Sequence, residues 1–247
     1  MASRSGPRVT APHNLVVCLD AGNIKSYDPI KSPTTVNSLV GNITSSSYNS
    51  NISHSTSDGG YWSFVKGNTD LGIVFDSVSF MPLGSSAMTY EHWVKFKENN
   101  SIPFSLLAFT NRETYIFYTL ISNNSFGISK DSFMNFVNSS SNVPLTPNVW
   151  RHFIITHDPS TGTVKIYING SLDKTHTNTH YWGGYGSGAF SYSNQKYQLL
   201  RIGGGIDYFT NAGMGGDISI VRIYKGKALT ASEVTKNYET FKHRFGI

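Results

Sequence analysis

Apolar and polar positions separate most cleanly in Val164-Lys165-Ile166-Tyr167-Ile168, where Val164, Ile166 and Ile168 fall on one side. That period of two marks a half-buried strand. The turn before it, His157-Asp158-Pro159-Ser160-Thr161-Gly162, sets Pro and Gly where a tight reversal needs a fixed φ and a positive φ. Asn169-Gly170 supplies the next turn signal. A first strand is expected from Asn14 to Asp20. Further short strands are expected near 61–66, 71–76, 87–97, 103–110, 114–121, 124–129, 133–138, 149–157, 163–169, 198–203 and 217–224.

One segment follows the helical period instead. Thr230-Ala231-Ser232-Glu233 is a capping box, with Leu229 and Val234 at the staple positions around it. Val234, Tyr238 and Phe241 then share a face, and Lys242, His243 and Arg244 suit the negative end of a helix dipole. Two stretches carry no such pattern. Residues 1–13, with Pro7 and Pro12, read as a tail. Residues 22–58 read as a long surface excursion pinned at both ends, and 42–58 as a candidate contact region, because small polar residues cannot bury enough surface to order themselves.

A length of 247 residues suits one large all-β domain, and here the domain is expected to span 14–247. Glutamate is scarce, which argues against long amphipathic helices. The lone Cys18 sits in the apolar run Leu15-Val16-Val17-Cys18-Leu19 and reads as a small buried hydrophobe, so no internal disulfide framework is available. No segment has the apolar length of a signal peptide or of a membrane-spanning helix, so a soluble protein with no membrane partner is expected. The net charge is +5, with basic residues gathered loosely at the two ends rather than on one face among stacking aromatics. That distribution disfavours nucleic acid as a partner.

Glycoside hydrolysis needs two carboxylates at a fixed separation. The five glutamates, Glu91, Glu98, Glu113, Glu233 and Glu239, form no such run, and no catalytic residue is assigned. His92 lies on the apolar side of Met88–Phe96 and reads as a core histidine satisfied by a backbone carbonyl. No cofactor is expected. A structural calcium would draw on Asp70 and Asp217, although these, with Asp76 and Asp207, lack the spacing of a calcium loop. The stretch from Asn178 to Gln195 is rich in glycine and rings: Tyr181, Trp182, Tyr185, Phe190 and Tyr192. Flat rings on a permissive backbone can stack on sugar faces, or pack on the sandwich and a neighbouring subunit, and the second reading is preferred.

Several of these segments together resemble a known family. Leu15–Asp20 followed by Ala21-Gly22-Asn23 and Ser26-Tyr27 makes the characteristic beginning. Gly216-Asp217-Ile218-Ser219-Ile220-Val221-Arg222-Ile223-Tyr224, then Ala228-Leu229-Thr230, Glu233, Asn237-Tyr238 and Lys242, Arg244-Phe245-Gly246, makes the end. Trp150-Arg151-His152 and Tyr167-Ile168-Asn169-Gly170 fit the middle. The chain resembles the laminin-G-like, concanavalin A-like modules of tailed-phage virion proteins. It departs from them at Val65-Lys66-Gly67-Asn68-Thr69-Asp70-Leu71, where the family often has Phe-Asp-Gly-x-x-Asp-aromatic. The resemblance implies an all-β, two-sheet antiparallel jelly-roll sandwich with one short C-terminal helix. It implies a non-enzymatic virion structural protein, a capsid decoration or a fibre or appendage component. Such a protein assembles in the host bacterial cytoplasm and docks, in several copies or as a homo-oligomer, to other virion proteins. The alternative it leaves open is a carbohydrate-binding adhesin for host surface glycans, because one sandwich hosts many functions.

Overall fold

The computed structural model describes residues 9–65, 72–76, 86–97, 104–110, 115–122, 125–129, 137–139, 146–177, 199–204 and 214–247. Among them run β1 (Leu15–Asp20), β2 (Ser47–Tyr48), β3 (Ser53–Ser55), β4 (Tyr61–Phe64), β5 (Ile73–Phe75), β6 (Met88–Phe96), β7 (Phe104–Thr110) and β8 (Tyr115–Ser122). They are followed by β9 (Ser125–Ser129), β10 (Val137–Asn138), β11 (Trp150–Asp158), β12 (Thr163–Ile168), β13 (Ser171–His176), β14 (Leu199–Ile202), β15 (Gly216–Lys225) and α1 (Ala231–Phe241). One sheet is ordered β13-β12-β11-β6-β15-β4-β3, with β1 also paired to β15; the other is ordered β10-β9-β8-β7-β14-β5-β2. Neighbours pair antiparallel throughout, for example Ile155 with Tyr90 and Leu200 with Phe75. This is the expected two-sheet sandwich.

Alternation along β6 divides its side chains between two layers. Met88, Tyr90, Val94 and Phe96 join Phe153, Ile155, Val164, Ile166, Val221 and Ile223 against Phe75, Phe126, Ile128, Leu200 and Ile202 of the other sheet. Trp93, on the opposite face of β6, packs with Trp150, Ile220, Phe241 and Phe245. The register of β15 shifts between Ile218 and Ile220. The shift lets Ile218 and Val221 face the inter-sheet core while Ile220 joins the outer cluster.

The helix starts as its sequence requires. Thr230 Oγ1 accepts from the Glu233 amide, and Glu233 Oε2 accepts from the Thr230 amide. Val234 and Phe241 are buried, and Tyr238 stacks on Trp93 at 5.9 Å with the rings 5° from parallel. The apolar stripe of α1 thus covers the outer face of the first sheet.

Three segments differ from expectation. Residues 22–58 are not merely pinned at their ends. Tyr27 bridges to Val36 and Asn37 to Thr44, β2 joins one sheet and β3 the other, and Val36 is fully buried. A few apolar side chains spaced along a polar stretch suffice to stitch it down. Residues 9–13 are seated rather than trailing: the Thr10 amide and hydroxyl both donate to Asn237 Oδ1, and Val9 packs on the outer cluster. Strand β13 was not expected, since Ser-Leu-Asp-Lys-Thr-His at a sheet edge buries too little to show a period of two. Of the expected strand 133–138, only β10 falls within the described residues.

Candidate functional site

The buried carboxylate Glu91, on the outer face of β6, gathers four donors. Arg222 Nη1 stands at 2.7 Å, Asn237 Nδ2 at 2.9 Å, Tyr224 Oη at 3.1 Å and His152 Nε2 at 3.2 Å. Burial by itself would raise the carboxyl's pKa, but the Arg222 guanidinium, His152 and Tyr224 more than offset that and bring it to about 2. Thr10 extends the network through Asn237. The hub is enclosed on all sides and ties α1, β6, β11 and β15 together. A general acid or base needs access to substrate, and Glu91 has none. Glu233 is held by its cap and by Lys227, and Glu239 pairs with Lys242. Among the described residues, every glutamate therefore has an internal assignment.

A second cluster joins the chain's two ends. Arg244 Nη2 contacts Asp20 Oδ1 at 2.8 Å, Ser219 Oγ at 2.9 Å and the Gly60 carbonyl at 3.2 Å. Gly22 lies against Gly59 so closely that a β-carbon there would stand 1.6 Å from the Gly59 carbonyl oxygen. Beside it, Asp58 projects from a left-handed turn at φ 50°. Its Oδ2 accepts from Trp150 Nε1 at 2.8 Å and from Lys95 Nζ at 2.9 Å, and these two donors hold its pKa down. Lys95 Nζ lies over the rings of Tyr61 and Trp150, at 4.5 and 4.9 Å from their centroids.

Asp217, nominated from sequence for calcium, is almost fully buried, and its oxygens lie 3.3 Å from Lys95 Nζ and 3.3 Å from Lys97 Nζ. Two ammonium groups therefore occupy the positions from which a cation would approach. Among the described residues no group of three or more potential metal ligands converges. Asp70 lies outside the described residues, as do Tyr181, Trp182, Tyr185, Phe190 and Tyr192. The strands that bracket those rings are described: β13 ends at an edge of one sheet and β14 begins between β7 and β5 in the other. His92 is fully buried as expected, but its partner is the Thr119 hydroxyl at 3.1 Å and not a backbone carbonyl.

Where β4 and β14 end and β5 begins, Asn49, Asn51, Ile52, Phe64, Val65, Gly72 and Gly203 line a cleft enclosing about 20 Å³. That volume admits one group the size of a water or a methyl. Phe64 and Ile52 form a buried apolar floor, whereas Val65 is 59% exposed at the lip. Asn49 Oδ1 accepts from the Asn51 backbone N–H at 2.8 Å, which holds the Asn49 carboxamide against its own turn. Gly203, at φ +70°, passes so near Phe64 that a β-carbon would meet its ring at 2.3 Å. In the sequence, only the Asn49–Ile52 side stands out, as part of the polar stretch 42–58. The other side carried no signal, since Val65 falls inside the strand expected near 61–66 and Gly72 and Gly203 reach the cleft from different strands.

Comparison with known proteins gives the same architecture. Residues 66–235 match the family model described as the concanavalin A-like lectin/glucanases superfamily. A comparison with curated proteins finds no sequence relative. Among solved structures, the binding domain of Paraclostridial Mosquitocidal Protein 1 superposes with a TM-score of 0.65 at 16% identity, covering 93% of this chain and 52% of that one. A botulinum neurotoxin type C structure, whose cell entry is described as dependent on two ganglioside molecules, gives 0.66 at 13% identity, covering 93% and 51%. Domain 4 of the extracellular arabinanase AbnA of Geobacillus stearothermophilus, in complex with arabinotriose, gives 0.55 at 17% identity, covering 90% and 97%. The chain spans about half the length of the two toxin structures. At these identities the likeness is one of fold.

Proposed function

We propose that this chain, which belongs to the concanavalin A-like lectin/glucanase superfamily, is a non-catalytic carbohydrate-binding module. The observation that carries the reading is the cleft at the strand ends, where Asn49 and Asn51 lie beside Phe64, Ile52 and Val65 and, among the described residues, no carboxylate lines it. Such a surface can bind a sugar by hydrogen bonds and a hydrophobic face, and its described residues offer no acid–base pair with which to cleave one. The committed glutamates support the same conclusion. So do the ganglioside and arabinotriose named for the structural neighbours. The rings of residues 181–192 are a second contact surface on this reading.

A glycan array probed with the whole chain tests it. Binding to a defined set of glycans, without release of reducing sugar, is the expected result. Silence across the array would remove the proposal, and cleavage of a bound glycan would make the chain an enzyme. Trp182→Ala then tells whether the ring-rich segment shares in recognition.

The setting we propose is the particle of a tailed phage, assembled in the bacterial cytoplasm, where the module docks to other virion proteins in several copies. Only the sequence resemblance at both chain ends supports it; in the fold those residues gather around Arg244 and Glu91. Labelling residues 42–58 on purified particles is the test. Copies across the head would favour a decoration role, copies at fibre tips an adhesin, and absence from the particle would exclude the setting.

A further inference from the structure

We infer that the cleft at the ends of β4, β5 and β14 selects the acetamido group of N-acetylated amino sugars; this rests on the glycan-binding reading above. The lining combines two chemistries that a plain hexose does not match. Phe64 and Ile52 supply a buried apolar floor, and Val65 an exposed apolar lip. Sugar hydroxyls placed there would lose water without gaining partners. Asn49 and Asn51 supply amide groups that both donate and accept. An acetamido substituent carries a methyl bonded directly to its amide carbonyl, so the methyl can enter the notch while its N–H and C=O meet a carboxamide.

Size agrees with this assignment. About 20 Å³ holds a methyl-sized group and excludes a pyranose ring, so the ring must lie outside, across Val65. The shape is fixed by the backbone. Gly72 and Gly203 both have positive φ, and a β-carbon on either would strike Ile202 O or the Phe64 ring. The Asn51 backbone N–H holds Asn49 Oδ1, which leaves the Asn49 Nδ2 as a donor toward the cleft's contents. A preformed notch of this kind binds without first ordering its own side chains.

The test is saturation-transfer NMR with titration calorimetry on the whole chain, using chitotriose and its fully deacetylated counterpart. Chitotriose is expected to bind about tenfold or more tightly than the deacetylated sugar. The largest transfer is expected at the acetyl methyl protons. Val65→Asp and Asn51→Ala lie at exposed positions and leave the melting temperature in place, and each should weaken chitotriose several-fold. Equal affinity for both trisaccharides, or unchanged binding by both variants, overturns the acetamido assignment while glycan binding stands. If neither trisaccharide binds but another glycan on the array does, the assignment is likewise overturned. Loss of all glycan binding on the array removes both readings.

Discussion

Arg244 Nη2 lies 2.8 Å from Asp20 Oδ1, so the last turn of the chain closes on the end of its first long strand. The same guanidinium reaches Ser219 Oγ and the Gly60 carbonyl, and both ion-pair partners are largely shielded from solvent. When the guanidinium is removed, Asp20 loses its counter-charge and keeps only the Gly22 amide, Ser219 Oγ loses its donor, and the Gly60 carbonyl keeps the Ser219 hydroxyl. Arg244→Ala should therefore cost roughly 2–4 kcal/mol, and Arg244→Lys somewhat less, because an ammonium cannot span all three. Denaturant melts of the two variants measure the difference.

Gly22 makes a sharper demand on the same corner. A β-carbon there collides with backbone, 1.6 Å from the Gly59 carbonyl oxygen, and also comes within 2.6 Å of Arg244 Nη2. Gly22→Ala should destabilise more than Arg244→Ala and should loosen the Arg244 contact as well. Combining the two variants should give less than the sum of their costs, since both open one lock. A full additive cost in a double-variant cycle would show that the corner and the guanidinium act independently.

Glu91 offers a test by pH. Its carboxyl titrates near 2 in the fold against an ordinary value of 4.5. A depressed carboxylate contributes stability that is present above pH 4.5 and lost as pH falls toward 2, here on the order of 3 kcal/mol. Thermal melts between pH 7 and 2 should show that loss, and Glu91→Gln should flatten it. At neutral pH the same substitution should cost about 3–5 kcal/mol, because it leaves Arg222 buried without its counter-charge.

The sheets, the helix and its cap were legible in the sequence because each depends on neighbours along the chain: Val164, Ile166 and Ile168 alternate, and Thr230 and Glu233 stand three apart. The hub around Glu91 was not. Its members lie on β6, β11, β15, α1 and the segment before β1, and only strand pairing brings them together. Arg222, Tyr224, Asn237 and Arg244 carried the family resemblance without revealing why; in the structure they hold the fold closed. The cleft was half legible, since Asn49–Ile52 lay in a flagged polar stretch, but Gly72 and Gly203 approach it from different strands.

Asp217 separates a salt-bridged acid from a metal ligand. Lys95 and Lys97 already neutralise it. Adding millimolar calcium or a chelator should leave the melting temperature unmoved if no other site binds the ion. Asp217→Asn should lower it, because Lys95, mostly shielded itself, would keep only Asp58. A rise in melting temperature with calcium that Asp217→Asn abolishes would reverse this assignment.

His92 and Thr119 form a polar pair inside the sandwich, with the ring also against Phe126. Burial holds the imidazole's pKa down to about 3, against an ordinary 6.5, although Glu91 nearby favours its charge. His92 is therefore neutral in the fold and charged in the unfolded chain below pH 6.5. Its contribution to stability is present above pH 6.5 and drains as pH falls toward 3. His157, held near 4 by burial, acts in the same direction. Thr119→Val alone strands His92 Nε2 and should cost roughly 1–3 kcal/mol, whereas His92→Leu with Thr119→Val removes both polar partners and should cost less. The double variant should also flatten the slope of stability between pH 6.5 and 5, while the part due to His157 stays. Urea melts across that range decide the point: an unchanged slope would mean that His92 does not carry the acid sensitivity.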